Sequence, residues 1–192
     1  YNSFTYAGEI SSQSGLLVIS DDFFDVFETE FITGSRADFD MDGNALVTRS
    51  FALRNGMEEV IGKKLTDGRK EFVIAGIIED FTGSVFENFE IILNSRHIKS
   101  SSGQGNYIDS ATMTFVKVSE DTDIESFEGK INDILQKYYE TKRYRDRDPA
   151  VLVRVDRLYF SDINNGMTGL KKEEKDKVLI FSIVVLLLLA SA

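Results

Sequence analysis

Cysteine is absent from this chain of 192 residues, so it can hold neither a disulfide nor a thiolate metal site, and its redox compartment is left open. Histidine occurs once, as His97. That excludes a metal site built on two imidazoles, and a Ser-His-Asp arrangement would have to use this residue alone. Tryptophan is missing too, which decides nothing. Basic residues are in short supply: 22 Lys and Arg stand against 32 Asp and Glu, a net charge of −10. No basic stripe is left to release phosphate counterions, so nucleic acid is excluded as a partner and anionic lipid surfaces are disfavoured. What remains is ordinary globular material. The 42% hydrophobic content, with 15 Phe and 7 Tyr, can bury a real core and argues against disorder. One domain, or one with a subdomain, is expected.

The C-terminal end carries an unbroken apolar run, residues 178–190, directly after the charged cluster Lys171-Lys172-Glu173-Glu174-Lys175-Asp176-Lys177. The run has no polar face, and its one hydrophilic member, Ser182, can bond back to the preceding turn. A helix crossing hydrocarbon needs roughly 20 such residues, so the run reads as the start of a membrane span. A short buried helix is the alternative that its length allows. Lys175 and Lys177 can snorkel at a headgroup boundary. Four lysines beside a span favour the cytoplasmic side, although large domains translocate regardless of such charges. At Tyr1 there is no charged n-region, apolar h-region or small-residue cleavage site, so no signal peptide is visible.

Between these ends the pattern alternates strand and helix. Leu16-Leu17-Val18-Ile19 predicts a strand, after which Ser20 is expected to cap a helix with Phe23, Phe24, Phe27 and Phe31 as its buried stripe and Gly34 as its stop. A polar turn to Asn44, a strand at Ala45-Leu46-Val47 and a brief helix from Ser50 to Arg54 ended by Asn55-Gly56 follow. Lys64-Leu65 and the run from Glu71 to Ile78 flank Asp67-Gly68, a hairpin signal. Phe89 to Leu93 predicts another strand, and Ser100 to Asn106 a flexible loop at a plausible subdomain boundary. Alternation at Ala111, Met113 and Phe115 predicts a strand. Thr122 and Glu125 form a capping box for an amphipathic helix to about Glu140, with Ile124, Phe127, Ile131, Ile134, Leu135 and Tyr138 on one face. Val151, Val153 and Val155 predict a last strand. This order describes an α+β domain.

Few residues offer chemistry. Asp38, Asp40, Asp42 and Gly43 match the first half of a calcium loop, but the twelfth position, which should be a bidentate Glu, is Arg49. A solvated acidic turn is the better reading. His97 lies beside Arg96 and Lys99, and no serine sits in a nucleophile-elbow setting. Gly103-Gln104-Gly105 lacks the third glycine and following helix of a dinucleotide cradle. No pair of carboxylates is singled out as an acid and base. No catalytic, cofactor-binding or metal-ligating residue is therefore assigned.

Several segments in order resemble the extracytoplasmic domain of MacB/FtsX-type ABC-transporter permeases. These are residues 19–27 (ISDDFFDVF), Val47 through Ala52, Gly56, Ile61-Gly62-Lys63, and residues 72–81 (FVIAGIIEDF) with a central glycine and closing aspartate; Leu158-Tyr159-Phe160 resembles the stretch before the second membrane helix. Three departures stand out. Arg49-Ser50 replaces the usual Asn-Glu pair, Val60 stands where a proline commonly precedes Ile-Gly-Lys, and Ser35 to Asp38 carries an extra residue in a Gly-Arg turn.

The resemblance implies two packed α+β subdomains, the first from residues 1–40 and 105–160 and a smaller β-rich one inserted at 41–104. A polar juxtamembrane linker at 161–177 and the start of a transmembrane helix at 178–192 would follow. It also implies a non-enzymatic module in the periplasm of a bacterial inner-membrane protein, without a cofactor. ATP would be hydrolysed by a cytoplasmic ABC ATPase subunit or domain, and the ectodomain would pass that motion to an envelope substrate or partner in the periplasm or outer membrane. A second permease copy, identical or closely related, is the expected membrane partner. Two competing readings remain: the ligand-sensing domain of a membrane receptor, and an anchored hydrolase, for which no nucleophile or metal constellation is found.

Overall fold

Apolar runs without polar alternation, such as Ala45-Leu46-Val47 and Ile91-Ile92-Leu93, need cover on both faces of a sheet. The computed structural model, which describes residues 4–6, 9–11, 15–57, 59–66, 70–97, 113–142 and 149–158, supplies that cover. Its elements are β1 (Phe4–Tyr6), β2 (Glu9–Ser11), β3 (Gly15–Ile19), α1 (Phe23–Val26), β4 (Phe31–Thr33), α2 (Arg36–Phe39), β5 (Asn44–Thr48) and α3 (Arg49–Arg54). There follow β6 (Lys64–Thr66), β7 (Glu71–Ile78), β8 (Phe89–Asn94), a 3-10 turn at Ser95–His97, α4 (Ile124–Lys142) and α5 (Val155–Leu158). The strands form a mixed sheet in the order β2-β1-β6-β7-β5-β8-β3, with β4 also paired to β7. The architecture is α+β, as expected.

Successive side chains of a strand point to opposite faces, and here both faces are apolar. Ala45, Val47, Ile91 and Leu93 meet Phe51 of α3, Val60 and Leu65 on one side. Leu46 and Ile92 meet Phe23, Phe39, Phe86 and Leu158 on the other. Each fully buried Ile, Leu or Phe contributes about 1.5–3 kcal/mol of transfer free energy.

Strand β7 serves both cores because it carries a bulge. Ala45 lies opposite Ile74 but Leu46 opposite Gly76, so Ala75 is the extra residue. The parity therefore switches: Phe72, Ile74 and Ile77 enter the first core and Ile78 the second. Glycine is required at the bulge, since a Cβ on Gly76 would lie 2.8 Å from Leu46 Cδ2 and 2.8 Å from the Thr33 carbonyl oxygen. Gly34 (φ +79) packs against the same place, where a Cβ would meet the Ala75 carbonyl oxygen at 2.5 Å.

The expected strands at β3, β5, β7 and β8 and the helices at α3 and α4 are present, α3 starting one residue early at Arg49. Thr66 pairs with Glu71, as the hairpin reading requires, while Asp67 and Gly68 lie outside the described residues. Five expectations are corrected. The helix from Ser20 to Gly34 is a single turn, because Phe31 and Thr33 are drawn into a ladder with Ile78 and Ile77. The four phenylalanines still share one core, so the stripe is right about burial and wrong about the element. The polar turn before Asn44 contains α2, capped by Ser35 and burying Phe39 completely.

Residues 113–119 have no ladder partner among the described residues, and Met113 and Phe115 are held by side-chain packing. Residues 151–154 are likewise not a strand, and Val155 opens α5. Their neighbourhood explains it: Asn132 of α4 bonds both backbone groups of Ala150 (2.7 and 3.0 Å), and Glu128 accepts from Leu152 N at 2.7 Å. Helix α4 itself is capped by Asp123, which accepts from Ser126 N at 3.3 Å, and not by Thr122.

Among the described residues no helix is long and apolar enough to cross a membrane. The run at 178–190 and the linker at 161–177 lie outside them. The sheet joins strands from residues 4–33 to strands from residues 44–94, so a unit inserted at 41–104 would share a continuous sheet with its host.

Candidate functional site

Where the second core opens to solvent, residues 27–30 and 79–86 leave a cleft of about 650 Å3, closed on a third side by Val155 and Asp156. Its floor is aromatic. Phe86 is buried and sits edge-on to Phe27 at 5.0 Å and to Phe81 at 5.8 Å, with Phe115 behind them at 5.0 Å from Phe27. The walls are tied together by a backbone bond, Glu79 N donating to the Glu30 carbonyl at 2.9 Å, and the Ser84 hydroxyl steadies the turn of its own wall by donating to the Phe81 carbonyl at 2.8 Å. The rim is acidic, with Glu28, Glu30, Glu79, Asp80 and Asp156.

Two of these carboxylates organise α3. The first N–H groups of a helix have no partner inside it. Asp80 accepts from Ser50 N at 2.9 Å and from the Ser50 hydroxyl at 2.8 Å, while Thr48 accepts from Phe51 N at 3.4 Å. Glu79 pairs with Arg49 at 3.1 Å. Strand β7 thus ends by holding the start of α3, which physically accounts for the closing aspartate of the 72–81 segment and for Arg49-Ser50 opposite it.

A second charged cluster lies across β8 and the α1 and α2 turns. Asp21 accepts from Asn94 Nδ2 at 2.9 Å and from Arg96 Nε at 2.6 Å, and Arg96 also reaches Asp40 at 3.1 Å. Asn94 is wholly buried, so this bond satisfies a group that would otherwise be costly. The Asn94 bond, helped by Arg96, holds the Asp21 carboxyl below its ordinary range. Arg36 grips Asp25 through both terminal nitrogens, at 2.7 and 3.1 Å, and that fork lowers the Asp25 pKa and raises its own. Hydrogen bonding to Arg154 likewise lowers the pKa of Asp156, and bonding to Glu90 raises that of Arg54.

The residues weighed from the sequence are not brought together. Asp38 sits in α2 and accepts from the Ser35 hydroxyl at 2.7 Å, Asp40 faces Arg96, and Asp42 lies 3.8 Å from Lys70. Among the described residues no three of His, Cys, Asp and Glu stand close enough to hold a metal ion. His97 closes the 3-10 turn after β8, while Gly103-Gln104-Gly105 and Lys171 to Lys177 lie outside the described residues. The acidic rim was missed, because Glu28 and Glu30 meet Asp156 only through the fold. The sole signal was the crowding of acids around residues 21–30 and 79–80.

Among curated proteins nothing matches the chain. Solved structures do. A domain of a putative permease protein from Porphyromonas gingivalis is similar with a TM-score of 0.55 at 16% identity, over 82% of this chain and 76% of that one. The periplasmic region of MacB from Actinobacillus actinomycetemcomitans is similar with a TM-score of 0.51 at 13% identity, over 72% of this chain and 63% of that one. These likenesses concern the fold. The sequence itself matches the family model of the MacB-like periplasmic core domain over residues 2–134, and the chain belongs to that family.

Proposed function

We propose that this chain is the periplasmic part of an ABC-transporter permease subunit, relaying motion driven by a cytoplasmic ABC ATPase to a substrate or partner in the envelope. The family match over residues 2–134 carries the reading. The apolar run at 178–190, read as the start of a span in the bacterial inner membrane, supplies the tether. A mechanical element must be stiff, and the sheet is covered on both faces and bolted at the Asp80–Ser50 junction. Such an element needs no catalytic group of its own, and the work would be done by a pair of permease copies against a periplasmic or outer-membrane partner.

The flanking sequence tests this directly. One apolar span before Tyr1 and three in total after Lys177 are expected; a histidine-kinase or cyclase domain after Ala192 would make the chain a receptor's sensing domain instead. The division into 1–40 with 105–160 and an inserted 41–104 belongs to the same proposal. After cleavage at a protease site introduced behind residue 104, packed subdomains stay associated, and separation of the pieces would contradict the division.

A further inference from the structure

We infer that the cleft between residues 27–30 and 79–86 is a docking groove for a basic, amphipathic peptide segment of a partner protein. This goes beyond the relay of motion and does not depend on it. The floor offers apolar contact to something outside: Phe27 and Phe81 are only half-buried, and Val155 is 45% exposed. The rim decides what that something is. Five acidic residues border the cleft and, among the described residues, no Lys or Arg does. Arg49 and Arg154 neutralise Glu79 and Asp156 from outside, and Ser50 holds Asp80. Glu28 and Glu30 are exposed and have no ion-pair partner among the described residues.

A wholly apolar ligand would desolvate that rim without compensation, and nucleic acid or an anionic membrane would be repelled. A segment alternating apolar and Lys or Arg side chains satisfies both parts at once, placing its apolar members on the phenylalanines and its cations on Glu28 and Glu30. Stacking of a cation over the half-open Phe81 ring adds to this. The two glutamates lie one residue apart on either side of Thr29, and in an extended peptide side chains on one face recur every second residue, so spacing matches spacing.

The test uses the full chain in nanodiscs of zwitterionic lipid and a fluorescent decapeptide of alternating Lys and Leu, read by anisotropy against empty discs. Saturable binding that weakens as salt is raised is expected, with no binding of the Glu-Leu counterpart. The double variant Glu28→Lys/Glu30→Lys should lose about tenfold or more in affinity. Asp42→Lys/Glu71→Lys, which changes net charge equally at the far end of β7 on two exposed side chains, should bind nearly as the parent does. Absence of saturable binding, equal binding of the acidic peptide, or equal loss in the two double variants would each overturn the proposal. Circular dichroism confirms that both variants are folded, which surface positions make the expected result.

Discussion

Replacing Asp80 should loosen the junction between β7 and α3 by an amount that follows from its two bonds. The carboxylate accepts from the Ser50 amide at 2.9 Å and the Ser50 hydroxyl at 2.8 Å. A hydrogen bond to a charged group contributes about 1.5–3 kcal/mol, and losing a helix-capping side chain costs about 1 kcal/mol. The site is half-buried, so water can partly replace the lost acceptor, and Asp80→Ala is expected to cost about 2–3 kcal/mol. Asp80→Asn keeps an acceptor for the amide and should cost about 1 kcal/mol, as should Ser50→Ala, which keeps the amide bond. Urea unfolding of the full chain in a nonionic detergent, followed by circular dichroism, measures all three with their double mutants. Because the groups touch, the Ser50→Ala/Asp80→Ala pair should fall short of additivity by about 1 kcal/mol. An Asp80→Ala loss below about 0.5 kcal/mol, or strict additivity, would refute the capping account.

Three further outcomes are expected. Gly76→Ala should destabilise by about 1–3 kcal/mol, because its methyl group must displace Leu46 and the Thr33 carbonyl at 2.8 Å; an unchanged urea midpoint would show that the bulge is loosely packed. The Asp21 and Asp25 pKa values are lowered in the folded state, so they add stability that is present above the unfolded-state value and lost as pH falls through the folded one. Stability should therefore be flat near neutrality and fall below about pH 4, and Asp21→Asn should reduce that slope in pH-dependent unfolding. Calcium added to chelator-treated protein should leave the thermal midpoint unchanged, since Asp40 and Asp42 face Arg96 and Lys70 and position twelve is Arg49; micromolar affinity by calorimetry would contradict this.

Strands whose apolar character is strong were legible as they stood. Val47, Ile74 and Ile92 sit where runs of such residues predict strands, and Asn55-Gly56 ends α3 as its turn chemistry requires. Phe31 was misread because nothing local distinguishes a fourth phenylalanine on a helix from one on a strand. Its element is set by Ile78, forty-seven residues away. Val151 and Val153 alternate like a strand, but the segment is docked on α4 instead, with Asn132 holding the backbone of the preceding Ala150 and Glu128 accepting from Leu152 N. The Asp80–Ser50 bolt was half legible: the closing aspartate stood out as part of a resemblance, while its partner depends on how β7 ends against α3. No reading of spacing would have gathered Glu28, Glu30 and Asp156 around one aromatic floor.

The central claim is that this domain moves when ATP is hydrolysed on the other side of the membrane. Ser119→Cys, at an exposed position of this cysteine-free stretch, gives a site for a spin label in each permease copy once any cysteine in the flanking sequence has been replaced by serine. Distances between the labels are measured in the full-length protein reconstituted in bilayers with its ATPase, with and without ATP and vanadate. The account predicts that the distance distribution shifts when nucleotide is trapped and returns when it is removed. Superimposable distributions in the two states, with ATPase activity intact, would contradict it.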